Sequence, residues 1–146
     1  MGLNFTDFIL KNHEKGLTLK VYLYSFFYRF CITHIKMSKV EKMMGVKGEE
    51  SKAEESIENI DYARLVAFHA NRVTEHMPWE AKCLTRSLTI AKLLKEKNID
   101  STIYMGVAKE EGRMKAHSWI RCGNIYLTDP MIGIFVPVAT FKYCKK

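Results

Sequence analysis

The chain has 146 residues, enough for one domain that buries roughly 70% of its unfolded surface. With 47% apolar and 12% aromatic residues it is neither a disordered tail nor a low-complexity linker. The net charge of +7 is spread as +3 over residues 1–50, −2 over 51–75 and +6 over 76–146. No Lys/Arg block stands out, which argues against a nucleic-acid arm and leaves a mildly basic surface suited to an acidic peptide or partner.

Cys31, Cys83, Cys122 and Cys144 show neither CxxC spacing nor zinc-like pairing. The start, Met1-Gly2-Leu3-Asn4-Phe5-Thr6, lacks the basic and apolar regions of a signal peptide. The expectation is a cytoplasmic protein with free thiols. The same six residues fit an N-myristoylation pattern, but one short enough to recur by chance.

In chain order, residues 5–14 suit a short helix ended by Gly16. Residues 17–37 follow as a long helix with Val21, Leu23, Phe26, Phe27, Phe30 and Ile35 among its apolar positions. Lys20, Arg29 and His34 interrupt it, and its uncharged run falls short of the ~20 residues a membrane span needs. A buried helix fits better than one that docks a partner or a membrane surface. Ser38-Lys39-Val40-Glu41 has capping-box spacing, so a helix is expected to start there and stop at Gly45. Residues 48–56 read as a mobile polar loop. From about 53 to 76 a helical stripe returns with Tyr62, Val66, His69 and Val73, and Pro78 interrupts it.

Leu84, Leu88, Ala91 and Leu94 then recur at helical spacing to Lys97, with Asn98 as the stop. Strand-like runs cover 101–108, 116–122 and 125–129, with turns at Gly112 and Gly123 and a further strand over 134–141. Helices followed by an antiparallel sheet make an α+β plan. The whole is expected to be a single domain, with a helical subregion over 1–50 and a catalytic region over 53–146.

The chemistry-bearing order is Cys83, His117 and Asp129. Cys83 would stand near a helix N-terminus, where the dipole favours a thiolate nucleophile. His117, in a strand, would hold the proton and return it to the leaving amine. Asp129, at the end of the next strand, would orient the imidazole. The backbone N–H of Cys83 could serve the oxyanion. Spacing alone leaves a structural, buried Cys83 as the plain alternative. Trp79 and Trp119 could line a substrate groove or belong to the core, and Arg86 could meet substrate or pair with a carboxylate. A zinc site from Cys83, His117 and Cys122 would need ligands nothing prompts, so neither metal nor cofactor is expected.

Pro78-Trp79-Glu80-Ala81-Lys82-Cys83-Leu84-Thr85-Arg86-Ser87-Leu88 resembles the nucleophile segment of the lasso-peptide leader peptidases, a bacterial branch of the transglutaminase-like cysteine protease superfamily. Leu93-Leu94, Gly106-Val107 and Ala116-His117-Ser118-Trp119 follow in the family's order. The resemblance covers about residues 57–141. Ser118 stands where the family usually has Ala, and the stretch after Asp129 matches poorly.

The resemblance implies a transglutaminase-like, papain-related fold and a Cys83–His117–Asp129 triad. The activity it implies is removal of the leader from a ribosomally made precursor, after a leader ending in a penultimate Thr. A separate ATP-dependent macrolactam synthetase would act on the freed amine and could be a partner. Some members carry a leader-binding domain that grips the precursor by β-augmentation. Residues 1–50 look helical and too short for one, so a separate leader-binding protein is expected as partner. Neither nucleic acid nor a membrane is. Two other readings stay open: a catalytically idle protein that binds a peptide or the synthetase, and an acyl or amide transferase using the same triad.

Strand register offers a geometric test. A two-residue turn at Gly123-Asn124 pairs residues whose numbers sum to 247 and puts His117 and Asp129 on opposite faces. A three-residue loop makes the sum 246 and puts both on one face with Trp119, Ile125 and Leu127. Chemistry and hydrophobic patterning favour 246, or an equivalent bulge.

Overall fold

The computed structural model describes residues 15–75, 82–131 and 133–143. The helix expected over 5–14 and the residues around Pro78 lie outside them. Among the described residues four helices precede most of the sheet: α1 (Lys15–His34), α2 (Met37–Met43), α3 (Ile57–Glu75) and α4 (Lys82–Glu96). The strands are β1 (Val46–Lys47), β2 (Ser101–Glu110), β3 (Arg113–Cys122), β4 (Ile125–Tyr126) and β5 (Val136–Tyr143). They form one antiparallel sheet in the order β1-β5-β2-β3-β4. This is the α+β architecture the sequence implies.

α1 ends three residues before the expected 37, and Lys36 in extended conformation (φ −60°, ψ 142°) separates it from α2. Ser38 falls inside α2 and does not cap it; Lys36 holds the cap position without a side-chain hydrogen bond. The capping-box spacing was therefore misleading, because α2 begins one residue ahead of the serine. α3 has a true serine cap. The Asn59 N–H donates to Ser56 Oγ (3.2 Å), while Glu55 Oε1 accepts from the Ser56 N–H and from Asn59 Nδ2. That cap delays α3 to Ile57, four residues later than its apolar pattern suggested.

α3 turns a small-residue face inward (Ala63, Val66, Ala67, Ala70), which lets it lie close to α4. α4 is buried nearly all round. Leu84, Leu88, Ala91 and Leu94 form the expected stripe, and Ile90 and Leu93 are also fully enclosed. Each such side chain contributes roughly 1.5–3 kcal/mol of burial free energy. Asn98, at φ 60°, stops the helix as expected.

Beneath α4 the sheet presents Ile103, Ile120, Cys122, Phe141 and Tyr143 to the common core. Residues 48–56, expected to be mobile, are laced to the sheet's other side. Thr102 Oγ1 lies 2.6 Å from Ser51 Oγ and accepts the Ser51 N–H at 2.7 Å, and Arg121 Nη2 donates to the Ser51 carbonyl at 2.9 Å. Polar composition predicted exposure here and missed these ties. Among the described residues no helix is long and apolar enough to cross a membrane.

Candidate active site

Cys83 is the second residue of α4, so its thiol stands in the first turn, at the positive end of the helix's peptide dipoles. It is half-buried and unbridged. One turn on, Arg86 Nε donates to Thr74 Oγ1 at 2.8 Å. Thr74 in turn donates to the Ala70 carbonyl at 2.7 Å, and the start of α4 is thereby tied to the end of α3. Burial lowers the Arg86 pKa below its ordinary value, while the nearby Glu75 carboxylate works the other way. Arg86 is thus a half-buried tie between the two helices, one turn from the Cys83 sulfur. Trp79 falls among residues 76–81, outside the described residues.

α4 and β3 meet through a pair of buried hydroxyls, Ser118 Oγ donating to Ser87 Oγ at 3.2 Å. Ser87 is one helical turn from Cys83, and Ser118 is the neighbour of His117. Because side chains alternate along a strand, Ser118, Ile120 and Cys122 face the helices. His117, Trp119 and Arg121 project from the other face. Among the described residues no hydrogen bond or ring contact joins Cys83 to His117, and the Ser87–Ser118 pair is the link beside both.

The imidazole itself is closely held. His117 Nε2 lies 2.7 Å from the main-chain carbonyl oxygen of Asp129. A carbonyl only accepts, so Nε2 carries the proton and Nδ1 of the neutral ring keeps its lone pair. The ring is flanked by Trp119, with centroids 5.7 Å apart, and by Phe135, at 5.0 Å. Trp119 is only 4% exposed and stacks in turn on Tyr104 (5.6 Å, 12° between planes). With so little free surface it braces His117 more than it lines a groove. Tyr104 donates its hydroxyl to Glu50 and accepts from Arg121 Nε, which anchors the far end of the row. Burial, first of all, pushes the Tyr104 phenol up.

Gly106, opposite His117 in the β2–β3 ladder, makes the row possible. A Cβ there would sit 2.8 Å from two atoms of the Trp119 indole and 3.2 Å from Phe135 Cβ. The β2–β5 register also slips between Met105 and Gly106, a bulge at the point where Phe135 comes in beside the histidine.

The register expectation fails in an instructive way. β3 and β4 pair as Arg121 with Tyr126 and Cys122 with Ile125, the two-residue turn with its sum of 247. Gly123, at φ 58°, supplies the positive φ that turn needs. Ile125 and Leu127 accordingly join the core with Cys122 and Ile120, away from His117 and Trp119. The ladder then stops. The Leu127 N–H still donates to the Ile120 carbonyl at 2.9 Å. The Ile120 N–H, however, goes to Thr128 Oγ1 (3.1 Å), and the Leu127 carbonyl accepts from Asn71 Nδ2 of α3 (3.4 Å). Released from the strand, the chain carries Asp129 to His117 through its carbonyl.

The Asp129 carboxylate is occupied elsewhere. Its Oδ1 accepts the Met131 N–H at 2.8 Å, closing the turn over Pro130. The structure therefore brings His117 and Asp129 together by main chain. Sequence reasoning missed Phe135, Thr128 and Asn71 as parts of this arrangement. The one available signal was Gly106 across from the His-x-Trp pair, a small residue making room for a large one.

Among the described residues no cluster of three or more His, Cys, Asp or Glu could hold a metal ion. No curated protein and no solved structure matches the chain. The family model of the transglutaminase-like superfamily does match, over residues 33–140, a span that includes Cys83, His117, the Asp129 turn and all of the sheet but the end of β5. With a helix-borne cysteine, a strand-borne histidine and an antiparallel sheet beneath them, the chain belongs to the transglutaminase-like superfamily.

Proposed function

We propose that this protein is a cysteine peptidase that removes the leader of a ribosomally made lasso-peptide precursor. The observation that carries the reading is the pinned imidazole: with Nε2–H on the Asp129 carbonyl, Nδ1 is the atom left for proton transfer. The choice of substrate rests on the Pro78–Leu88 segment and its resemblance to the leader peptidases.

In this reading His117 Nδ1 takes the proton of the Cys83 thiol as the sulfur attacks the scissile carbonyl carbon, and the oxyanion is met by backbone N–H groups at the start of α4. Collapse breaks the C–N bond, and the core amine leaves with a proton from His117. The leader stays behind as a thioester. Water then attacks, His117 takes its proton, and the C–S bond breaks to give the leader carboxylic acid and the free thiol. Asp129 acts by orienting His117, Arg86 by holding the start of α4 on α3, and Trp119 by bracing the ring. A separate leader-binding protein would present the precursor.

Cys83→Ala removes the nucleophile without disturbing the core. With precursor and leader-binding protein present, mass spectrometry should show leader release falling at least about a thousandfold. Full activity in the variant rejects the peptidase reading. A leader product capped by an added amine instead of a carboxylic acid would redirect it to acyl transfer.

A further inference from the structure

α1 carries apolar side chains on two opposite sides, and the fold covers only one of them. Val21, Ser25 and Tyr28 are buried against the body. On the opposite side Leu19, Leu23, Phe27 and Phe30 are 53–59% exposed. Spaced i, i+4, i+8 and i+11, they make one continuous line along the helix, bordered by Tyr22. The sequence expectation of a buried helix thus holds for half of α1. Contiguous apolar surface of this kind marks an interaction site.

The segment that holds this stripe is locally basic. Residues 15–42 hold six of the 23 Lys and Arg and a single acid, Glu41, a local net charge of +5. Lys36, Lys39 and Lys42 are exposed in the segment that follows α1 in the chain. Lys20, on its flank, pairs with Glu96 at 3.1 Å.

Shape and charge together select the occupant. A second copy packed parallel would bring the same lysines face to face, and one packed antiparallel would leave them without an opposite charge. A protein partner would need a groove for a convex ridge that offers few polar groups for fixing register. A fluid anionic surface needs neither a groove nor a register. We propose that α1 docks this protein peripherally on an anionic lipid bilayer. The helix lies in the plane of the interface, with the Leu19–Phe30 line at the headgroup–acyl boundary and the lysines over lipid phosphates. The docking is independent of the peptidase reading.

Flotation of the full chain with vesicles tests it. Binding to phosphatidylcholine vesicles containing about a quarter phosphatidylglycerol should exceed binding to pure phosphatidylcholine by about tenfold, and should weaken with salt. Phe27→Ser with Phe30→Ser should reduce binding to the anionic vesicles at least about tenfold. Both side chains face solvent, so the circular dichroism spectrum should stay that of the unaltered chain. Lys36→Gln, Lys39→Gln and Lys42→Gln together should erase the preference for the anionic vesicles, a readout that does not depend on the aromatic pair. Absence of flotation with anionic vesicles overturns the proposal, as does flotation that survives the double serine variant. A dimer in light scattering that the serine pair dissolves would overturn it too, by assigning the stripe to a second copy.

Discussion

The two faces of the sheet are built on different principles. Toward the helices, Ile103, Ile120 and Phe141 meet Leu88, Ile90 and Leu94, and what matters there is filled volume. Away from them, Tyr104, Trp119, His117 and Phe135 form a row of rings in which each position depends on the next. The first face can trade one aliphatic for another of similar size at under about 1.5 kcal/mol. The second face has less freedom, because a ring displaced by a few tenths of an ångström changes where the imidazole stands. Stability and geometry are therefore carried on opposite sides of the same strands, and substitutions should separate them.

The largest expected effect is on the helix-facing side. Ile120→Ala empties a fully buried position and should cost about 2–5 kcal/mol, read as a lower denaturation midpoint with an unchanged m-value. Once corrected for the folded fraction, its specific activity should match that of the unaltered chain. A specific loss of activity would blur the division between the faces.

Gly106→Ala strikes the other side. Its Cβ meets the indole at 2.8 Å, so Trp119 must move, at a cost of about 1–3 kcal/mol. Here activity should fall further than stability does, because the displaced indole no longer braces His117. Parallel kinetics and melting would show it. Equal losses in both would mean that the row is packing only.

The smallest effect should come from Asp129→Asn. The carbonyl that holds His117 is unchanged, and the asparagine oxygen can still accept the Met131 N–H. Leader release should fall by less than about threefold, whereas a carboxylate orienter replaced by its amide costs about 10⁴. A loss of that size would put the carboxylate back on the imidazole during catalysis.

Much of the arrangement was legible in the sequence. Apolar stripes gave α3 and α4, the Asn98 stop was right, and Gly112 and Gly123 fell at hairpin turns. The register error has a specific origin. The Gly-Asn turn rule alone favours the pairing observed, and only the demand that the Asp129 side chain face His117 points to the other. Every residue carries a main-chain carbonyl, so its use as the orienting acceptor leaves no trace in residue type. α1 misled for a related reason: periodicity reports that a helix has an apolar face, and it says nothing about what covers a second one.

The hydroxyl of Thr128 has one more consequence. Where neighbouring β3 amides are held by the rigid carbonyls of a ladder, the amide of Ile120 is held by a side-chain rotor. Its protection from deuterium exchange then depends on the rotamer of Thr128 and on the segment leading to Asp129, and not on opening of the sheet. This single proton serves as a built-in gauge of how firmly the histidine's carbonyl partner is held, and it can be read in the resting protein with no substrate present.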